Sequence, residues 1–335
     1  MENKKRTLLA VLFLLFCLLG IAALYGQARQ PAEGTGGHSS NRQKVTLIAK
    51  STESAFWKSV FAGASAAGTE YNMELLCQGA DNEEDYKSQN QMIDAAVADG
   101  ADAILFSAID YEENAAAIDR AAESGVRIIV IDSDVNSDQV ECRIGTDNYQ
   151  AGCLAGEAAL DSDASALNVG IVNFDATTEN GQSREKGFRD TIFQDDRVTL
   201  IDSVNSNSTI AAAKEATLQM LAAHPEINVL TTFNEWTTLG VGYAIREAGA
   251  AQRIRLVAFD SNVVSVDMLE TGEVDALVVQ NPYAIGYLGV ETAYRLLNGQ
   301  KIPSPEIDTS TMLVTRENMY TEESQRILFS FDEIK

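Results

Sequence analysis

Histidine is scarce in this chain, and the common motifs of hydrolytic and metal-dependent catalysis are missing from it. The 335 residues include two histidines, His38 and His224, and contain no Gly-x-Ser-x-Gly, His-Glu-x-x-His or phosphate-binding-loop pattern. The abundant carboxylates could supply a glycosidase pair, but no spacing singles one out. The sequence therefore disfavours an enzyme, and it predicts no catalytic residue, no cofactor and no metal site.

Cysteine is also rare. Apart from Cys17 near the N-terminus, the chain has Cys77, Cys142 and Cys153, an odd number without a Cys-x-x-Cys pair. This pattern excludes a disulfide scaffold or a zinc site. We expect small buried side chains at these positions, with a Cys142–Cys153 bridge as the alternative.

Basic residues are too few to balance the acids. The chain has 25 Lys and Arg against 49 Asp and Glu, which gives a net charge of −24. Such a surface repels phosphate backbones, so nucleic acid is not expected as a partner.

A long uncharged apolar run lies near the N-terminus. It extends over residues 8–25 and follows Lys4, Lys5 and Arg6, which favour the cytoplasmic side of a bilayer. The run is long for a signal peptide and just long enough to span a membrane, and small residues near 26–28 offer a cleavage site. Residues 1–28 are predicted to be a signal peptide or an uncleaved membrane anchor, with lipidation of Cys17 a weaker alternative. Residues 29–43 are predicted to be a flexible tether, and the rest lies outside the cytoplasm.

Apolar β-rich runs alternate with helical patterns from residue 44 onward. The runs lie at 45–49, 103–106, 127–131, 168–172, 228–232, 255–259 and 275–279. Helical patterns between or after them include 84–98, 113–123, 210–223, 237–248 and 285–297. Because the runs barely alternate in polarity, they predict an α/β fold with parallel sheets covered on both faces.

Polar residues follow these predicted strands, at the edge where ligands bind to parallel sheets. They occur at 51–54, Ser107, 132–134, 234–235, 260–262 and 280–281, with Trp57 and Trp236 close to two of them. Carboxylates and amides suit a neutral polyhydroxylated ligand, and an aromatic ring can cover an apolar sugar face. The alternative is that the strand-end Asp and Asn side chains are helix caps.

Several stretches together resemble the type I periplasmic binding proteins of sugar ABC transporters, the ribose- and galactose-binding group. The stretches are SAFWKSVFAGA (54–64), ADAILFSAID (101–110), VRIIVIDSDV (126–135), IGTDNYQAG (144–152), SREKGF (183–188), 222–249, LVAFDSN (256–262) and 278–300. The resemblance implies an α/β fold with two Rossmann-like lobes, whose parallel sheets are joined by a three-segment hinge. It implies an N-terminal lobe of residues 44–145 plus 282–309, a C-terminal lobe of residues 146–281 plus 310–330, and crossings near 144–147, 279–282 and 309–312.

The resemblance also implies a ligand site. Its eight residues are Phe56, Trp57, Ser107, Asp132, Arg184, Asn234, Asp260 and Gln280. The aromatic pair is expected to stack on the sugar and Arg184 to bond its oxygens, unless this arginine forms a structural ion pair instead. Serine at 107 and 133 replaces the asparagine and arginine of ribose binders, and Ser54-Ala55 replaces Asn-Pro, which argues against ribose itself.

The implied function is capture of a small sugar by lobe closure and its delivery to an ABC transporter permease, by a monomer. The alternative is a membrane-tethered subunit that signals sugar binding to a receptor histidine kinase. A DNA-binding regulator of the same fold is disfavoured, because the hydrophobic segment occupies the place of a helix-turn-helix and the net charge is −24.

Overall fold

Two six-stranded sheets form the framework of residues 42–329, the part of the chain that the computed structural model describes. Both sheets belong to one unit that begins at Gln43. The predicted signal peptide or anchor at 1–28 and tether residues 29–41 lie outside the described residues. Within 42–329, no helix combines the length and apolarity that a membrane span requires.

The first sheet defines the N-terminal lobe. Its strands are β1 (Lys44–Ala49), β2 (Glu74–Gly79), β3 (Ala103–Phe106), β4 (Arg127–Ile131), β5 (Cys142–Gly145) and β11 (Glu306–Asp308). They lie in the order β11-β5-β4-β3-β1-β2 and are all parallel. The helices of this lobe are α1 (Ala55–Glu70), α2 (Tyr86–Ala98), α3 (Ala115–Glu123) and α9 (Pro282–Leu297).

The second sheet defines the C-terminal lobe. Its strands are β6 (Leu167–Asn173), β7 (Val198–Asn205), β8 (Val229–Thr232), β9 (Arg255–Phe259), β10 (Ala276–Val279) and β12 (Met312–Thr315). They lie in the order β12-β10-β9-β8-β6-β7, and β12 is antiparallel to β10. The helices of this lobe are α4 (Asn148–Leu160), α5 (Glu179–Ile192), α6 (Ile210–Ala223), α7 (Glu235–Glu247), α8 (Val263–Thr271) and α10 (Glu322–Leu328).

Helices cover both faces of each sheet. Because successive side chains of a strand point to opposite sides, both sets of side chains are buried. In β4, Ile129 and Ile131 join a cluster with α1 and α9, whereas Ile128 and Val130 join one with α2 and α3. The second sheet is covered in the same way by two further clusters. This burial explains the continuous apolar runs in the sequence, and the predicted α/β fold is confirmed.

The chain passes between the two sheets three times, as predicted. The crossings connect β5 to α4, β10 to α9, and β11 to β12. A hydrogen bond joins the first crossing to the third: the backbone N–H of Thr309 donates to the carbonyl oxygen of Gly145 at 2.6 Å. The residue bounds given for the lobes stay a prediction, although every strand of each sheet falls within the part of the chain assigned to it.

In each lobe, two helices meet through glycines with their backbones in direct contact. A Cβ atom on Gly63 in α1 or Gly286 in α9 would lie 2.0 or 1.9 Å from a backbone oxygen of the facing helix. A Cβ atom on Gly152 in α4 or on Gly187 in α5 would likewise lie 2.1 Å from a backbone oxygen of the facing helix. For Gly152 this is the carbonyl oxygen of Arg184. Any side chain larger than hydrogen would push these helices apart, so the four glycines determine where the site elements lie.

The three described cysteines form no disulfide, so the alternative Cys142–Cys153 bridge is wrong. Cys142 is buried, as expected, whereas Cys77 and Cys153 are only partly buried. Burial raises the pKa of the Cys77 and Cys142 thiols to about 11.

Candidate ligand-binding site

The ends of strands from both sheets surround one cavity, and its lining residues come from both lobes. The first lobe contributes six lining residues: Lys50, Ser54, Phe56, Trp57, Glu83 and Asp132. The second lobe contributes eight: Phe174, Asn180, Arg184, Asn234, Glu235, Trp236, Asp260 and Gln280. Seven of the eight predicted site residues therefore lie together, and Ser107 is the exception.

Asp132 and Asp260 occupy equivalent positions in the two lobes. Each directly follows an inner strand, β4 or β9, and their φ angles are +61° and +66°, in the left-handed region. Their backbone N–H groups donate to Ile144 and Val278 of the neighbouring strands, both at 3.0 Å. Asp and Asn adopt this conformation more readily than other non-glycine residues, and such strain concentrates at functional sites. The duplicated geometry turns one carboxylate from each lobe into the cavity.

Asp132 is held by groups from both lobes. The Lys50 ammonium lies 3.5 Å from it, and both side chains are at most 4% exposed. The Ser107 hydroxyl donates to Asp132 at 3.0 Å, and the Asn180 amide of the second lobe donates to both carboxylate oxygens at 3.3 Å. Ser107 is fully buried behind Asp132 and orients it.

Asp260 is 6% exposed, and its pKa is raised. Burial raises its pKa from 3.8 to about 6, against the opposing effects of Arg184 and of the bond from Gln280. The Gln280 amide donates to Asp260 at 2.6 Å, and its carbonyl oxygen accepts from Thr146 at 2.8 Å. Gln280 thus links the aspartate to two of the three crossings between the lobes.

Arg184 is 1% exposed and uses its donors within the second lobe. It donates to Asn148 at 2.9 Å, to the carbonyl oxygen of Phe233 at 2.8 Å and to Gln280 at 2.8 Å. Its guanidinium carbon lies 5.0 Å from the ring centroid of Phe259. Among residues 42–329 it forms no ion pair within 4.0 Å, so the alternative of a structural ion pair is wrong. Arg184 supplies a positive charge to the cavity wall.

The aromatic pair that the resemblance implies lines the cavity. Phe56 and Trp57 are 9% and 1% exposed, and their rings meet edge to face with centroids 5.1 Å apart. The Trp57 indole N–H donates to Glu83 at 3.2 Å, which fixes the plane of the ring. Trp236 of the second lobe also lines the cavity, and its buried Nε1 has no hydrogen-bond partner within the described part of the chain.

Glu235 and Glu83 connect the lobes across the cavity. The Glu235 carboxylate of the second lobe accepts from the backbone N–H groups of Ala55 and Phe56, at 3.2 and 3.0 Å. It thereby binds the N-terminus of α1 in the first lobe, where the helix dipole favours negative charge. Glu83 of the first lobe accepts from Ser208 of the second lobe at 2.7 Å. Burial raises the pKa of Glu235, and the charge of Glu83 adds to the shift.

The helix-cap interpretation of the strand-end residues is also correct for some of them. Asn234, Asn262 and Asn281 accept from backbone N–H groups of α7, α8 and α9. Asn234 additionally donates to Ser208 at 2.8 Å and lines the cavity. Capping and a place in the cavity are therefore compatible in one residue.

Five polar lining residues are not among the eight predicted site residues: Lys50, Ser54, Glu83, Asn180 and Glu235. Ser54 and Glu235 belong to the polar strand-end positions 51–54 and 234–235, and Lys50 directly follows β1, so the strand-end rule reaches all three. Glu83 lies in the loop after β2, a strand that was not predicted. Asn180 lies in the first turn of α5, where no motif marks it.

The chain also matches known proteins. The family model of the periplasmic binding protein domain matches residues 45–301. The D-ribose/D-allose-binding protein of Pseudomonas aeruginosa is 26% identical over 85% of this chain and 92% of its own length. The ribose import binding protein of Bacillus subtilis is 23% identical over 79% of this chain and 86% of its own.

Two solved structures are similar over nearly their whole length. A carbohydrate transporter solute-binding protein from Agrobacterium radiobacter, in complex with D-arabinose, has a TM-score of 0.84 and 28% identity over 87% of this chain and 100% of its own. An ABC transporter solute-binding protein from Agrobacterium vitis, with bound D-fucose, has a TM-score of 0.82 and 30% identity over 85% of this chain and 99% of its own.

Proposed function

We propose that this chain, which belongs to the periplasmic binding protein domain family, captures a small sugar between its two lobes outside the cytoplasm and delivers it to an ABC transporter permease. The observation that carries the proposal is the cavity at the strand ends of both lobes, because it combines carboxylates, amides and aromatic rings. Ionised groups give strong, oriented hydrogen bonds to hydroxyls, and rings cover the apolar face of a sugar.

The proposal assigns ligand contacts to seven of the predicted residues and a supporting role to the eighth. The contacts are Phe56, Trp57, Asp132, Arg184, Asn234, Asp260 and Gln280. Ser107 acts through its bond to Asp132. A sugar that lacked one matched hydroxyl would leave a buried charged group without its partner, which is how the site would select among sugars.

Lobe closure is the proposed mechanism. The lining residues come from both lobes, so a bound sugar contacts both at once and stabilises the closed arrangement. The direct bonds across the cavity, such as that of Glu83 to Ser208, add to the same arrangement. A permease then recognises the closed surface. The alternative of signalling to a receptor histidine kinase gains no support from the comparisons.

Thermal denaturation with a panel of pentoses, hexoses and polyols tests the sugar-binding part. A sugar at a hundred times its dissociation constant is expected to add about 2.7 kcal/mol to the free energy of unfolding. Small-angle scattering should show a more compact protein with that sugar. No stabilisation and no change of shape across the panel would refute the proposal. The delivery step is tested by copurifying this protein with its partners from membranes. Recovery of a kinase and no permease would refute delivery to a permease.

A further inference from the structure

The cavity carries an excess of negative charge that its own cations do not balance. Its lining includes two cations, Lys50 and Arg184, against four carboxylates. Lys50 is paired with Asp132, and Arg184 lowers the pKa of Asp260 by its charge. Glu83 and Glu235 make no ion pair with any cation of residues 42–329, although they are only 7% and 8% exposed. Buried charges are costly unless an opposite charge compensates them.

Glu83 is the less compensated of these two carboxylates. Glu235 lies at the N-termini of two helices, α7 and α1, whose dipoles offset part of its charge. Glu83 has neutral side-chain donors instead, from Trp57 at 3.2 Å, Ser208 at 2.7 Å and Asn234 at 3.4 Å. A carboxylate offers about four acceptor positions, so roughly one position of Glu83 is left for a ligand.

Two further features of the wall indicate what such a ligand carries. The buried Nε1 of Trp236, which has no partner within residues 42–329, requires an acceptor such as a hydroxyl oxygen. Four aromatic residues, Phe56, Trp57, Phe174 and Trp236, also line the cavity, and a ring face attracts a cation. Lys50 already uses this attraction, with its ammonium 5.4 Å from the centroid of the Phe174 ring.

We infer that the ligand is an amino sugar whose ammonium group binds to Glu83, while its hydroxyls bind the remaining polar groups. This inference rests on the proposed function and specifies its substrate class. An ammonium has three donors and supplies the missing positive charge, so it matches the wall better than a hydroxyl does. The carboxylate of a sugar acid would add a fifth negative charge and is excluded.

Calorimetric titration of the full-length protein at pH 7 tests the inference with matched ligands. D-Glucosamine and D-galactosamine are compared with D-glucose and D-galactose, with their N-acetyl derivatives and with the corresponding uronic acids. At least one amino sugar is expected to bind about ten-fold or more tightly than its parent, a coupling of the size measured for buried charge pairs. The N-acetyl form is expected to lose this advantage, and the uronic acid not to bind.

The matched variants are Glu83→Gln and Glu84→Gln. Glu84 is the exposed neighbour of Glu83 in the same loop and does not line the cavity. Glu83→Gln should bring the ratio of amino-sugar to parent affinity close to one, whereas Glu84→Gln should keep it. If Glu83→Gln does not fold, the ratio in the parent protein decides alone. Parent sugars that bind as tightly as amino sugars overturn the inference and leave the proposed function standing, whereas no binding of any sugar overturns both.

Discussion

Replacing Asp260 with asparagine is expected to stabilise the ligand-free protein at neutral pH. Asparagine tolerates the left-handed backbone at this position and keeps an oxygen for the bond from Gln280. It removes a carboxylate whose pKa burial raises from 3.8 to about 6. The cost of ionising Asp260 inside the folded protein therefore disappears.

The size and sign follow from the pKa values. Because the folded pKa is higher than the unfolded one, the folded state keeps its proton as the pH rises from about 4. The contribution of Asp260 to stability is full below about pH 4 and is lost as the pH rises through 6. A shift of about two units corresponds to about 3 kcal/mol. The stability of the variant relative to the parent should increase by this amount between pH 4 and pH 7.5, or by about 5–10 °C in Tm.

Urea denaturation of both proteins at several pH values between 4 and 7.5 measures this difference. A difference that does not change with pH, or one that decreases towards pH 7.5, would refute the reasoning. Asp132→Asn is the matched control, because it changes the equivalent residue of the other lobe. There the carboxylate is paired with Lys50 at 3.5 Å, so the variant leaves a buried ammonium unpaired and should lose about 3–5 kcal/mol.

Three further predictions concern other parts of the molecule. Trp236→Phe keeps a ring but loses the unpartnered N–H, so calorimetry should show roughly five-fold weaker sugar binding, and equal affinity would contradict this role. Gly286→Ala places a Cβ atom 1.9 Å from the facing backbone, so thermal denaturation should show a loss of about 1–3 kcal/mol or more in the free energy of unfolding. Gly68→Ala, whose Cβ would have its nearest contact at 3.4 Å, should not destabilise the protein, and equal losses would refute the packing argument. The thiols of Cys77 and Cys142, with pKa values raised to about 11, should react with a disulfide reagent at pH 8 on the order of a hundred times more slowly than a free thiol, and mass spectrometry that finds rapid labelling of both would contradict this.

The central strands could be predicted from the sequence because both faces are covered. All four residues of β3 and of β10 are buried, so their apolar runs are continuous. The edge strands β2 and β7 contain exposed residues in alternation, so they lack the continuous apolar runs that predict the central strands. Their absence from the prediction explains why Glu83, in the loop after β2, was missed.

The candidate site was predictable where a local motif marks a residue. Asp132 and Asp260 follow apolar runs directly, and Phe56 and Trp57 belong to the stretch 54–64 that carries the family resemblance. The partners that give these residues their properties could not be predicted, because they come from distant parts of the chain. Asn180 bonds to Asp132 across 48 positions and Glu235 to Phe56 across 179, and only the folded arrangement brings such groups together.

The glycine contact between α1 and α9 has a mechanical consequence. Because the two backbones touch, we expect Phe56 and Trp57 at the start of α1 to move together with the segment that enters α9 at Pro282. The chain has two tryptophans, and both line the cavity, one from each lobe. If a sugar closes the lobes as proposed, intrinsic fluorescence is expected to report the closure without any added label, because each wall of the cavity carries a tryptophan.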